Sequence, residues 1–165
     1  ADYLRAEPRP ETYIRDVETR AERYNGFNLL VGTPTTAHYL SNRDGSPREV
    51  TPAVHGMSNA QLDDPWPKVE RGTRGLRRVL ERDTISPADQ RPAPDEDLPQ
   101  TGVGIDTERM LSPPFIKSDT YGTRASTVVL IHRSGSVTFV ERSFDHGTPG
   151  ETRRFLFELP SPSVA

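Results

Sequence analysis

The chain has 165 residues, the length of one domain with a core of its own. Its 21 basic and 24 acidic residues are scattered and give a net charge of -3, which argues against a nucleic-acid-binding surface. No apolar run approaches the about 20 residues that a membrane span needs, and the lack of cysteine excludes disulfides, thiolate metal sites and a thiol nucleophile within these residues.

The first third of the chain predicts a helix followed by a hairpin. A helical stretch opens at Pro10, and its apolar spacing continues to about residue 24. Two apolar runs at 27–33 and 37–42 predict a pair of antiparallel strands. Turn residues then lead toward a third short strand that ends near Val54.

The most regular helical pattern spans residues 65–82, and Asp64 is placed to cap it. Trp66, which stands between two prolines, is better explained as a packing anchor for the helix start than as a ligand platform. Residues 83–104 are rich in proline and aspartate, so they predict a surface loop with at most one helical turn, near 86–90.

The last third of the chain is rich in predicted strands. A helical turn is expected within residues 105–119, and strands are expected at 123–132, 136–144 and 152–159. Both faces of the first of these strands are apolar, so we expect it to be central and covered on both sides. Helices beside antiparallel strands predict a single α+β domain over the whole chain.

The histidines show no metal-binding pattern. None of them stands four residues from another ligand in a helix, so ordinary surface and packing roles explain them. They are His38, His55, His132 and His146. The chain also has neither a specific glycine-rich phosphate loop nor the Gly-x-Ser-x-Gly elbow of serine hydrolases.

Two polar residues are candidates for chemistry on local evidence. Arg124 opens an apolar strand, where a cation needs a carboxylate, carbonyl groups or a bound anion; a structural ion pair is the alternative. Asn59 lies with Ser58 where an apolar run ends, and the alternative is support of a turn through its own backbone. Hairpin-turn chemistry explains the sequence of residues 42–45, Asn-Arg-Asp-Gly.

Several segments occur in the order found in one protein family. They are YNGFNLLVG, SNRDGSP, HGMSNAQLDDPWPKVERG, LSPPFI, and YGTRASTVVLI with FVERSF. The set closely resembles the NRDE family, also called the transport and Golgi organisation protein 2 family, over nearly the whole chain. The resemblance implies an Ntn-hydrolase-like four-layer sandwich, with two antiparallel sheets between helical layers. Family members also carry an N-terminal Met-Cys start and an Asn-Arg-Asp-Glu signature, so this chain, which opens at Ala1, is expected to be a C-terminal portion.

The resemblance also implies roles for particular residues. In the related cysteine Ntn hydrolases, the N-terminal cysteine is the nucleophile and its own amine is the base. Asn59 resembles the amide that donates to the developing oxyanion, and Arg124 resembles the arginine that orders the nucleophile or binds an acidic group. Substrate-binding neighbours are expected at His55, Ser58, Tyr121, Thr123 and Ser126. Ala125 stands where many members have serine, which weakens the expectation for hydroxyl groups there.

Two functions follow from the resemblance. The full-length protein is either a cysteine-dependent amide or acyl hydrolase or transferase, which requires no cofactor, or a non-catalytic protein that binds and traffics haem, acyl-CoA or lipid. A small acyl compound or haem is therefore the expected ligand. The missing N-terminal segment, or a separate chain, is the expected partner at an exposed strand edge. A cytoplasmic location is expected, with mitochondrial or secretory-pathway association in a eukaryote.

Overall fold

The computed structural model describes residues 3, 9–43, 45–82 and 91–159. The chain divides into two compact units, Ala1–Asp64 and Pro65–Ala165. Each unit contains helix and antiparallel sheet, so the predicted α+β class is confirmed. The four-layer Ntn-hydrolase-like arrangement and the single-domain organisation stay predictions.

The part of the first unit at residues 9–43 and 45–64 is a small antiparallel sheet covered by a helix. Its helical elements are helix α1 at Pro10–Glu18 and a 3-10 turn at Ala21–Arg23. Its strands are β1 at Asn28–Gly32, β2 at Ala37–Ser41 and β3 at Arg48–Glu49, in the order β1-β2-β3. The predicted hairpin is confirmed by the pairing of β1 with β2, whereas the third strand ends at Glu49, earlier than the predicted Val54.

The helix packs on the hairpin because its apolar residues repeat every three to four positions. Ile14 and Val17 of α1 are buried against Val31 of β1 and Leu40 of β2. Ile14 and Leu40 are each only 1% exposed. The helix starts at Pro10, where the fixed proline φ suits a first turn. It ends at Glu18, well before the predicted residue 24.

The second unit contains two helices, a 3-10 turn and a three-stranded antiparallel sheet in its described part. The helical elements are α2 at Pro67–Arg82, a 3-10 turn at Asp95–Asp97 and α3 at Ile105–Leu111. The strands are β4 at Ala125–Ile131, β5 at Ser136–Asp145 and β6 at Thr148–Glu158, in the order β4-β5-β6. The three predicted strands are thus confirmed, and the helical turn predicted near residues 86–90 lies outside the described residues.

The prediction that β4 is central and covered is wrong for the described chain. β4 is an edge strand, because β5 pairs with both β4 and β6. All seven β4 residues are exposed, including Val128 at 53% and Leu130 at 61%. Apolar residues on both faces of a strand show that burial would be favourable, but they do not specify which element would cover them.

Asp64 does not cap the following helix, contrary to prediction. Its Oδ2 accepts a hydrogen bond from the backbone N–H of Gln61 at 2.9 Å. Helix α2 begins two residues after the predicted start, and the Trp66 carbonyl accepts from the N–H groups of Val69 and Glu70. Trp66 is half-buried, with the Lys68 ammonium 5.4 Å from its ring centroid.

Among the described residues, no helix has both the length and the apolar character to cross a membrane.

Candidate functional site

Residues 55–63 form a closed loop, here named the 55–63 loop. Met57 and Leu62 pair as an isolated antiparallel bridge. Outside this bridge, the Asp63 N–H donates to the Gly56 carbonyl at 2.8 Å, and the Gly56 N–H donates to Asp63 Oδ1 at 3.0 Å. Asp63 has a φ of 69°, a left-handed conformation that aspartate tolerates better than most residues. These bonds place residues 58–61 at the tip of the loop.

The loop is attached to the first sheet through three polar side chains, and one of them, Arg48 of β3, donates a guanidinium N–H to the Leu62 carbonyl at 3.3 Å. Asn28 of β1 donates its Nδ2–H to the Ala60 carbonyl at 2.8 Å. Tyr39 of β2 donates its hydroxyl to Asn28 Oδ1 at 2.6 Å and accepts from the Leu62 N–H at 3.1 Å. Tyr39 and Leu62 are buried, so the hydrogen bond between them is sheltered from water, and the two bonds of Asn28 are partly buried. The tip is therefore held rigidly above the strands.

A cavity of about 350 Å³ lies beside the tip. Its described lining residues are Gly26, Phe27, Asn28, Arg43, Ser58 and Asn59. The Asn28 amide is occupied by the bonds that hold the loop. The side chains of Arg43, Ser58 and Asn59 make no hydrogen bond within the described part of the chain. The cavity thus presents a guanidinium, a hydroxyl and an amide that are free to bind a ligand.

The Asn59 side chain does not support a turn through its own backbone. Its side chain is exposed and does not bond to its own backbone, so the turn-support alternative does not describe it. Its position is set by neighbouring residues, since Ala60 and Leu62 make the hydrogen bonds that fix the loop. A catalytic role for Asn59 and a substrate-binding role for Ser58 stay predictions.

Asn42 holds the backbone of the cavity-lining residues Gly26 and Phe27. Asn42 Oδ1 accepts from the Phe27 N–H at 2.7 Å, and Asn42 Nδ2 donates toward three carbonyls. These carbonyls belong to Ala21, Tyr24 and Asn25, at 3.1–3.2 Å. The side chain therefore connects the end of β2 to the segment before β1. Turn chemistry alone therefore does not account for Asn42.

His55 lies at the base of the 55–63 loop and is not free to bind a ligand through either ring nitrogen. Its Nδ1 bonds to Asp63 Oδ2 at 2.7 Å and its Nε2 to the Thr51 carbonyl at 2.8 Å. A carboxylate and a carbonyl only accept, so both ring nitrogens donate and the imidazolium form is favoured. The Asp63 hydrogen bond is the main cause that raises the pKa of His55, and the Thr51 carbonyl adds to it. The structure thus gives His55 a supporting position.

The pKa of Asp63 is shifted in the opposite direction, below its ordinary value. Burial acts to raise the pKa of Asp63, but the Gly56 N–H and His55 together outweigh it and hold this pKa below 3.8. The His55 contribution to stability is therefore fully present below pH 6.5 and is lost as the pH rises through its raised pKa. The Asp63 contribution is present above pH 3.8 and is lost as the pH falls through its lowered pKa. The pair supports the loop most strongly between these limits.

An NMR titration can test this pair. We expect His55 to titrate above 6.5 in the native protein and to return toward 6.5 in Asp63→Asn, because the replacement removes the carboxylate but tolerates the left-handed backbone. Asp64→Asn is the matched control, since Asp64 bonds to Gln61 instead. The pair is partly exposed, so its loss should cost less than about 1 kcal/mol. An unshifted His55 in the native protein would contradict the pairing.

The other predicted site residues lie in the second unit. Arg124 directly precedes β4, is exposed, and makes no side-chain hydrogen bond or ion pair within the described residues, so the ion-pair alternative is not observed. Thr123 Oγ1 accepts from the Ile116 N–H at 2.9 Å, which is a structural contact. Tyr121 is 55% exposed, and Ser126 is exposed on β4. Their assignment to a site stays a prediction.

The structure brings Ser58 and Asn59 together at one cavity. It also places there, or next to it, residues that the sequence motifs did not predict. Asn28, Tyr39 and Arg43 were not among the candidates. The hairpin pattern contained a usable signal: alternation places Asn28 and Tyr39 on one face of adjacent strands, and pairing of the strands brings the segment after β2 beside the start of β1.

Comparison with known proteins gives the same family as the order of the sequence segments. Residues 1–146 match the family described as Transport and Golgi organisation 2. The chain is 32% identical to a human Transport and Golgi organization protein 2 homolog and 30% identical to a mouse Transport and Golgi organization 2 homolog. Each match covers 91% of this chain and 63% of the relative, so the chain spans less than two thirds of their length. A Bos taurus homolog is 29% identical over 98% of this chain and 67% of its own length. The chain belongs to the Transport and Golgi organisation 2 family, also called the NRDE family.

Proposed function

We propose that this chain supplies the ligand-binding wall of an enzyme that hydrolyses or transfers an acyl group. The observation that carries the proposal is the free Asn59 amide, held above a cavity by a loop whose backbone is fixed on both sides. An amide N–H at such a position can donate to a carbonyl oxygen as negative charge develops on it. We therefore expect the ligand to be an amide or a thioester, whose carbonyl oxygen can accept this hydrogen bond.

The chain would bind and orient the acyl group rather than attack it. It contains no cysteine, so a thiol nucleophile would come from a part of the protein outside these residues. In the proposed reaction, the thiolate sulfur bonds to the acyl carbon and the leaving amine or thiol departs with a proton. Water then releases the acid. Asn59 would stabilise the oxyanion in each step, and Arg124 would order the nucleophile or bind an acidic group, as the family resemblance implies.

The carrier alternative uses the same cavity without turnover. Haem fits its described lining poorly, because guanidinium, amide and hydroxyl groups are not usual axial ligands. The nearby His55 has both ring nitrogens engaged. A carbonyl oxygen or an anion matches these donors better. For this reason we favour an acyl ligand over haem at this site.

Treating the full-length protein with a simple thioester substrate at neutral pH tests the proposal. We expect a transient mass increase equal to the acyl group on the protein, followed by release of free acid, because the thiol takes the acyl group before water does. Intact-mass spectrometry follows the first step and acid release the second. A protein treated beforehand with a thiol-blocking reagent is the control. Saturable binding without acylation or acid release would replace the enzyme proposal with the carrier role.

A further inference from the structure

Arg43 is a cation placed at the cavity without a counterion in the described part of the chain. It follows Asn42 at the end of β2 and lines the cavity together with Asn59. Its side chain makes no ion pair or hydrogen bond there. None of the described lining residues is acidic, and Asp63, the one carboxylate of the 55–63 loop, is paired with His55. The charge of Arg43 is therefore available to a ligand.

The position of the guanidinium depends on Gly26. A Cβ added at Gly26 would lie 2.6 Å from Arg43 Nη2 and 2.7 Å from Arg43 Cζ, closer than real atoms approach. The guanidinium therefore lies directly over the backbone of Gly26, in space that any side chain would occupy. Asn42 holds the same two segments together through its bond to the Phe27 N–H. The lack of a side chain at Gly26 and the hydrogen bond of Asn42 together determine where the Arg43 guanidinium lies.

We propose that Arg43 binds an anionic group of the ligand, a carboxylate or a phosphate, at the cavity beside Asn59. A guanidinium presents parallel N–H groups that match two oxygens of either anion. Ser58 and Asn59 add neutral donors at the same cavity. The inference rests on the proposed function in that the ligand is an acyl compound, which would then carry an anionic group as well as the reacting carbonyl. Anion binding itself requires no turnover.

NMR titrations of the full-length protein test this inference, with sodium phosphate in one arm and sodium acetate in the other at constant ionic strength. We expect saturable shifts with at least one anion and at least about 10-fold weaker binding in Arg43→Gln, because charge-assisted hydrogen bonds are lost. Arg43→Lys should recover part of the affinity, since it keeps the charge but not the paired donors. The arm that responds identifies the anion.

Two further variants make the test specific to the position of the guanidinium. Gly26→Ala keeps the charge of Arg43 but displaces its guanidinium, so it should also weaken binding. Arg23→Gln removes an exposed charge of the same unit that is not among the described lining residues, and should leave the affinity unchanged. No saturable response to either anion, or equal weakening in Arg23→Gln, would overturn the inference.

The outcomes also separate this inference from the proposed function. Loss of anion binding in Arg43→Gln with normal acyl turnover in Asn59→Ala would support the anion site and reject the oxyanion role. Loss of turnover in Asn59→Ala with unchanged anion affinity in Arg43→Gln would do the reverse. Thermal unfolding of each variant shows whether the fold is retained, and Arg43→Gln should unfold as the native protein does because its side chain makes no hydrogen bond in the described part.

Discussion

Replacing Asn59 with alanine is expected to lower the acyl-transfer rate of the full-length protein by about 100- to 1,000-fold, the loss typical of an oxyanion donor. The same change should alter the free energy of unfolding by no more than about 0.5 kcal/mol. The side chain is exposed and makes no hydrogen bond in the described structure, so folding has little to lose. Single-turnover kinetics and urea unfolding measure the two effects.

Asn28→Ala provides the matched contrast to Asn59→Ala. Asn28 has the same side chain at the same cavity, but its amide bonds to Ala60 and Tyr39. Its replacement should destabilise the protein by about 2 kcal/mol, since two part-buried hydrogen bonds are lost. If Asn59→Ala destabilised the protein as much as Asn28→Ala and lost activity in proportion, Asn59 would be structural and the oxyanion role would be rejected.

Replacing Asn42 with alanine should cost about 3 kcal/mol of unfolding free energy, because it removes one side-chain acceptor and the donors to three carbonyls. Ala21, whose carbonyl is one of these acceptors, is itself buried, so water replaces this bond poorly, whereas the bonds to Tyr24 and Asn25 are exposed. The Gly26–Phe27 wall of the cavity should loosen as well, and anion affinity should fall with it. Urea unfolding and the phosphate and acetate titrations provide the measurements.

Two further substitutions, one at Asn42 and one at Asn25, serve as controls for the Asn42→Ala prediction. Asn42→Asp keeps an oxygen for the Phe27 N–H but turns a negative oxygen toward carbonyl groups, so at neutral pH it should be at least as destabilising as alanine. Asn25→Ala removes an amide side chain of the same segment that makes no hydrogen bond in the described residues, and should cost little. Losses below about 1 kcal/mol in both Asn42 variants would show that the backbone alone holds the segment.

The elements that could be predicted from sequence are those whose pattern is local. The amphipathic spacing of residues 67–82 and the turn before β5 specify a helix and a hairpin without reference to the rest of the chain. Helix ends were predicted less well. Helix α1 ends at Glu18, and beyond it the carbonyls of Ala21 and Tyr24 accept from Asn42, a residue that no local pattern connects to them.

The candidate site could be predicted only in part. Local sequence marks Asn59, next to Ser58, as a candidate, the family resemblance gives both residues their expected roles, and the structure places both at a cavity. The sequence neighbours of Arg43, Asn42 and the Asp-Gly that follows, are turn formers, so the local pattern predicts a turn and no ligand-binding role there. Its closeness to Gly26 depends on the pairing of β1 with β2, which joins segments 17 residues apart.

The sequence by itself determined the α+β class, most of the strands and the family, because each of these depends on residue order and short-range periodicity. Tertiary structure alone decided which polar side chains are occupied and which are free. Asn28, Asn42 and Asn59 are chemically identical, yet the first two are bonded across the fold and the third is open to the cavity. Hydrogen bonds between distant segments make that distinction, since each depends on a distance that residue order does not contain.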